Sequence, residues 1–104
     1  MSESEQAKVD ARVRLLMEWG PKLGFPFSSQ VRPSRFPEMR ELRLQSAGDP
    51  LRILYAFDPR RIAILLVGGD KTGDNRWYET TVPRADKIFE RHLKTIEEEQ
   101  SQNG

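Results

Sequence analysis

The residues of this sequence best equipped for chemistry are cations set beside aromatic rings, and Arg76-Trp77-Tyr78 places them in direct succession. A guanidinium grips phosphate through a planar fork, and a neighbouring ring offers a stacking face, a pairing that suits unpaired RNA bases. Trp77 has a second use as a plug between a sheet and the last helix, because its indole is mainly apolar. Just upstream, Gly68-Gly69-Asp70-Lys71-Thr72-Gly73 reads as a glycine-rich turn holding Lys71 toward solvent, within reach of a phosphate. Its spacing is not GxxxxGK[ST], which excludes a nucleoside-triphosphate loop. The bland alternative is a connection with solvated charges.

Arg40, Arg43, Arg52, Arg60 and Arg61 enlarge the basic set. Twelve of the 17 cations are arginine and eight of those lie between Arg32 and Arg76, so the balance of 17 bases against 16 acids averages an arginine-rich middle with an acidic end. The net charge of +1 by itself therefore says nothing about nucleic acid. Strand alternation points Arg43 away from the side of Leu42 and Leu44, whereas Arg40 shares their parity and belongs near the strand edge. A basic sheet face with Lys71 at its rim would bind a polyanion. The competing reading pairs Arg43 and Arg52 with Glu41 or Asp70 in surface ion pairs.

His92 is the one histidine and the first place to seek a general acid or base, since its ordinary pKa lies near neutrality. Its place on the apolar stripe of a helix favours a satisfied border residue instead. Without cysteine there is no disulfide and no thiolate metal site, and one histidine does not build a zinc site unaided. No metal or other cofactor is expected.

These residues need a scaffold, and 104 residues make one domain with a thin core, 37% of the chain being hydrophobic and 32% charged. Val9, Val13, Leu16 and Met17 at helical spacing, widened by Leu15 and Trp19, predict a helix over residues 5–19. Ser2 or Ser4 is available as its cap and Gly20-Pro21 as its stop. The breaker-rich stretch 20–38 is a connection. Residues 40–45, 51–57 and 61–67 read as strands of an antiparallel meander spanning 39–67, turned by Asp58-Pro59-Arg60. The last of them, apolar on both faces, suits a central strand. Residues 68–82 form a functional loop. Pro83 at a first helical position opens a helix over 83–99 with the stripe Ala85, Ile88, Phe89, His92, Leu93 and Ile96, and the tail 100–104 frays. The expected fold is α+β, a small antiparallel sheet of three to four strands packed on one face by an N-terminal and a C-terminal helix. The longest apolar run, 62–67, is too short to span a bilayer, and no targeting signal is visible, so a cytoplasmic location is expected.

Ser34-Arg35-Phe36, Glu41-Leu42-Arg43, the run from Arg52 through Ala56-Phe57-Asp58-Pro59-Arg60-Arg61, Leu65-Leu66-Val67-Gly68-Gly69-Asp70-Lys71, Trp77-Tyr78, and Pro83 through His92-Leu93 carry more than spacing. Over residues 9–96 they resemble the RelE/HigB-like toxins of type II toxin–antitoxin systems, in the branch related to a phage-derived protein. The resemblance implies a compact RelE-like toxin that inhibits translation by cutting mRNA, usually on the ribosome and without metal. It also implies neutralisation by a small helix-turn-helix antitoxin in a hetero-oligomeric complex, with no membrane involved. In such RNases the ribose 2′-OH attacks the adjacent phosphate, so the protein must orient that hydroxyl, neutralise the phosphorane and protonate the leaving 5′-oxygen.

Carried over by residue, Arg43 and Lys71 are first for phosphate stabilisation, Arg76 and Arg52 next, and Tyr78 or Trp77 for stacking a base. His92 is the reserve acid or base, and Arg40, Arg60 and Arg61 extend the RNA-binding surface. The chain lacks the second histidine and basic C-terminal tail of some relatives, which leaves the acid–base pair unassigned. Two other functions fit the same residues: a ParE-like gyrase inhibitor, and a non-catalytic module that retains only antitoxin contacts.

Overall fold

The computed structural model describes residues 3–103. Helix α1 (Glu3–Trp19) and a single 3-10 turn (Gly20–Lys22) precede four strands, β1 (Ser28–Gln30), β2 (Arg40–Ser46), β3 (Asp49–Phe57) and β4 (Ala63–Asp70), and helix α2 (Trp77–Asn103) closes the chain. The strands form one antiparallel sheet in the order β1-β2-β3-β4. The fold is thus α+β, as expected.

Local chemistry explains most boundaries. Ala47 and Gly48, at φ 52° and 85°, make the two-residue hairpin between Ser46 and Asp49, a turn whose twist matches that of the strands it joins. Asp58 organises the β3–β4 turn, its carboxylate accepting the Arg60 N–H at 2.8 Å and the Ile62 N–H at 3.2 Å. Before α2, the Asp74 carboxylate accepts the Arg76 N–H at 3.0 Å and holds the first helical turn in place.

Alternation then sorts the core into two layers. Leu42 and Tyr55 lie on one sheet face with Leu16 of α1 and Leu23, while Leu54 and Ala56 lie on the other with Trp77, Val82, Ala85 and Phe89 of α2. The helices therefore cover opposite faces, a correction to the expectation that both pack on one. The segment between β1 and β2 is drawn onto α2 as well: Ser34 Oγ donates to Asp86, and the Phe36 ring meets Phe89 edge-on at 5.1 Å.

Other expectations are corrected in the same way. The connection 20–38 contains β1, too short to show a period. Gly68, Gly69 and Asp70 end β4 rather than forming a loop, and β4 is an edge strand, with Leu65 exposed. Helix α2 starts at Trp77, so Pro83 lies on its second turn, where it lacks the N–H for a bond to the Glu79 carbonyl and its ring faces that oxygen. The supposed fraying tail continues as helix to Asn103. On α1, Met17 (78% exposed) and Trp19 (56%) do not join the core; Met17 is turned about 100° from buried Leu16, and at Trp19 the chain leaves through Gly20 at φ 58°. Ser4 lies within α1 rather than capping it, and Ser2 lies outside the described residues. No described helix is long and apolar enough to cross a membrane.

Candidate functional site

The register of β2, β3 and β4 builds a row of charge. Arg43 stands opposite Arg52, and Arg52 opposite Gly69, all on the α2 side of the sheet. Glu41, two residues before Arg43 on the same face, is 3% exposed. Gly69 has no side chain to fill its place in the row, and the Trp77 indole occupies it; a Cβ there would stand 3.0 Å from Trp77 Nε1. Trp77 is consequently buried and has no free face for a base.

Burying the Trp77 indole fixes where the next side chain goes. The Tyr78 hydroxyl donates to Glu41 Oε2 at 2.7 Å. Glu41 Oε1 accepts from Ser29 Oγ and from Arg43 Nη1, each at 3.0 Å, and Arg52 Nε lies 3.8 Å from it. Arg52 is locked by Nη1 bonds to the Leu51 and Leu44 carbonyls at 2.9 and 3.3 Å, while its buried Nε has no hydrogen-bond partner. Lys71, directly after β4, places Nζ 3.4 Å from the Tyr78 hydroxyl and 5.1 Å from the ring centroid. One buried carboxylate thus organises three cations and a phenol.

The electrostatics follow from this crowding. Burial first, and then the hydrogen bond to Glu41, push the Tyr78 hydroxyl up to about 12, so it keeps its proton at neutrality. Burial also lowers Lys71, with Arg52 and Arg43 adding repulsion and Glu41 opposing it. With two guanidiniums and an ammonium against one carboxylate, the cluster carries an excess of positive charge where a phosphate oxygen would be met. Two shallow depressions flank it, one of about 270 Å³ beside Gln30, Arg32, Glu41 and Tyr78, and one of about 420 Å³ beside Arg12, Phe27, Arg43 and Arg52. Among the described residues no three His, Cys, Asp or Glu side chains gather as a metal-holding group.

Residues 1–90 match the family described as Phage derived protein Gp49-like (DUF891). The chain belongs to this Gp49-like family. It is 46% identical over 94 residues to the candidate toxin HigB3 of Mycobacterium tuberculosis, covering 89% of this chain and 81% of HigB3. It is 45% identical over 92 residues to the candidate toxin HigB2 of the same organism, covering 86% of this chain but 46% of HigB2. No solved structure gives a significant match.

The other expected residues of the Gp49-like chain lie away from the cluster. Arg40 faces the α1 side, where its Nε donates to Ser28 Oγ at 3.1 Å and its Nη2 reaches the Leu23 carbonyl at 3.4 Å. Arg76 is exposed at the start of α2 and pairs with Glu79 at 3.1 Å. Arg60 and His92 meet at buried Asp58, at 2.7 and 3.0 Å, about 20 Å along β3 from Arg52. Burial would raise the Asp58 carboxyl, but hydrogen bonds from Arg60, His92 and the backbone outweigh it and hold it well below the carboxylate range. Arg61 is exposed on the same turn at φ 65°.

Sequence reasoning missed two parts of the site. It gave Glu41 the role of a surface partner, because alternation shows which face a side chain takes but not what closes over it. It also passed over Phe25 and Phe27, which are 76% and 40% exposed and lie beneath Arg43 (5.3 Å to the ring centroid) and Arg12 (4.9 Å). The available signal was Phe25-Pro26-Phe27 in a breaker-rich segment, rings outside any apolar period.

Proposed function

We propose that this chain is the toxin of a toxin–antitoxin system and that it stops translation by cutting mRNA on the ribosome through attack of a ribose 2′-OH, with no metal taking part. The observation that carries this reading is the convergence of Arg43, Arg52 and Tyr78 on Glu41, with Lys71 against the Tyr78 hydroxyl, in a family whose relatives HigB3 and HigB2 are named as candidate toxins.

In this mechanism Arg43 and Lys71 hold the scissile phosphate and take up charge as the phosphorane forms, with Arg52 fixing the position of Glu41 from behind. The 2′-OH passes its proton to Tyr78 Oη as Tyr78 gives its own to Glu41 across their 2.7 Å bond. The 2′-oxygen bonds to phosphorus, the bond from phosphorus to the 5′-oxygen breaks, and Lys71, its ammonium made more acidic by burial, protonates that oxygen. The products are a 2′,3′-cyclic phosphate and a 5′-hydroxyl. Trp77 acts by holding Tyr78 in place, and Arg76 supplies a loosely tethered charge for incoming RNA. Arg40, Arg60, Arg61 and His92 serve the scaffold and its outer charge.

The partners that follow are the ribosome with its mRNA, in the cytoplasm, and a helix-turn-helix antitoxin that covers the basic face in a hetero-oligomeric complex. Controlled induction in bacteria, with pulse-labelling of protein and DNA, tests the reading. Protein synthesis is expected to fall first, and co-expression of the neighbouring reading frame to restore growth. A DNA-damage response preceding any fall in translation would assign the chain to gyrase inhibition instead, and unaffected growth would leave it a binding module.

A further inference from the structure

Outside the Glu41 cluster, the strongest unexplained feature is a pair of exposed rings on the loop before β1. Exposed phenylalanines are unfavourable in water, yet Phe25 and Phe27 are held there by a tight turn in which the Phe27 and Ser28 N–H groups both bond to the Gly24 carbonyl at 3.0 Å. The loop is tied to the site itself, since the Arg43 N–H donates to the Phe27 carbonyl at 2.8 Å. Each ring has a guanidinium over it, Arg43 on Phe25 and Arg12 on Phe27, and the 420 Å³ depression beside Phe27 is lined by Arg12, Arg43 and Arg52 with no acidic side chain in its lining.

Rings and forks in this arrangement match one chemistry. A nucleotide presents an apolar, planar base and a phosphate a few ångströms away, which calls for a stacking face and an adjacent cation. Rings and arginines also suit a protein partner, but the depression presents three guanidiniums, and Glu41, the carboxylate that pairs with Arg43 and Arg52, is buried and outside its lining, which favours a polyanion. We propose that Phe25 and Phe27 form a stacking platform for unpaired bases of single-stranded RNA next to the scissile phosphate, with Arg12 and Arg43 holding the phosphates between them. Gln45, exposed on the lining of the depression, is the group placed to meet a base edge through its amide. The platform rests on the RNA-cleaving reading above and extends it by naming what the protein grips beside the reacting bond.

The test is the affinity of the full chain for a short, fully 2′-O-methylated RNA, which offers no attacking hydroxyl, and for the same strand with abasic sites. The wild-type protein should bind the intact strand more tightly than the abasic one. Phe25→Leu with Phe27→Leu, which keeps apolar bulk but removes the rings, should lose about tenfold or more on the intact strand, from the usual energy of base–aromatic stacking. It should lose little on the abasic strand, and its salt dependence should stay that of the wild type because the phosphate contacts remain. Phe25→Tyr with Phe27→Tyr should restore tight binding. Equal affinity of wild type and the leucine variant for the intact strand would overturn the platform while leaving the cleavage reading in place. So would unchanged RNA binding together with lost antitoxin binding, which would make the rings a protein-docking surface. If the wild type bound neither strand, the platform would be overturned, while cleavage on the ribosome would still be decided by the assay with programmed ribosomes.

Discussion

A carboxylate at 3% exposure is costly unless donors fill its lone pairs, and Glu41 has Tyr78, Ser29 and Arg43 to do so. Removing the Tyr78 hydroxyl is therefore both a structural and a chemical lesion. Tyr78→Phe should lower the unfolding free energy by about 1.5–3 kcal/mol, the range for a hydrogen bond to a charged group, measured by urea denaturation. It should also slow mRNA cleavage by about 100-fold or more, since the proposed proton relay from the 2′-OH passes through that oxygen. A variant as stable and as active as wild type would separate Tyr78 from the site. At this scale the sequence was partly legible. Arg43, Arg52, Lys71 and Tyr78 were named from residue type, and the structure places them together. Glu41 was not seen as their organiser, because its burial depends on Tyr78 arriving from a helix 37 residues later.

The elements show why some expectations needed correcting. The polar–apolar alternation of β2 was visible, and so was the turn at Asp58, whereas the opposite placement of the helices was not. The available clue was the unbroken apolar run from Ile53 to Phe57, which needs cover on both faces of β3; adjacent Leu54 and Tyr55 are indeed both fully buried. Pro83 suggested a helix start because proline suits that position, but the Asp74 turn had already set the start six residues earlier. The Asp58 cluster with Arg60 and His92 is a staple joining the β3–β4 turn to α2, and its charge state carries a pH signature. A carboxyl held below its unfolded value stabilises the fold at pH above that value, near 3.8, and the contribution disappears as pH falls through the lower folded value. Asp58→Asn should cost about 2–4 kcal/mol at neutral pH and remove this share of the acid sensitivity. Thermal melts across pH 2–7 on both proteins would measure it, and parallel pH profiles would contradict it.

For the whole molecule, the near-neutral charge is a sum over segregated regions. One sheet face gathers Arg43, Arg52 and Lys71, with Arg12 and Arg32 beside the flanking depressions. The far end of α2 is acidic, with exposed Glu97, Glu98 and Glu99 following buried Ile96. The order of residues along the chain already separates an arginine-rich middle from an acidic end, and the strand register adds that Arg43 and Arg52 share one face. Such a polarised molecule gathers its positive charge on one surface, which under the proposed function is the surface that meets RNA and that an antitoxin covers. The most direct measurement is cleavage of a defined mRNA on programmed ribosomes, followed by primer extension and analysis of the product ends, for wild type and for Arg43→Ala with Lys71→Ala. The account predicts discrete cuts leaving 2′,3′-cyclic phosphate and 5′-hydroxyl ends, none at a site carrying a 2′-deoxy sugar, and a folded double variant slowed by about 100-fold or more, the loss typical when groups that stabilise transition-state charge are removed. Intact mRNA with the wild-type protein, or wild-type cleavage by the double variant, would contradict it.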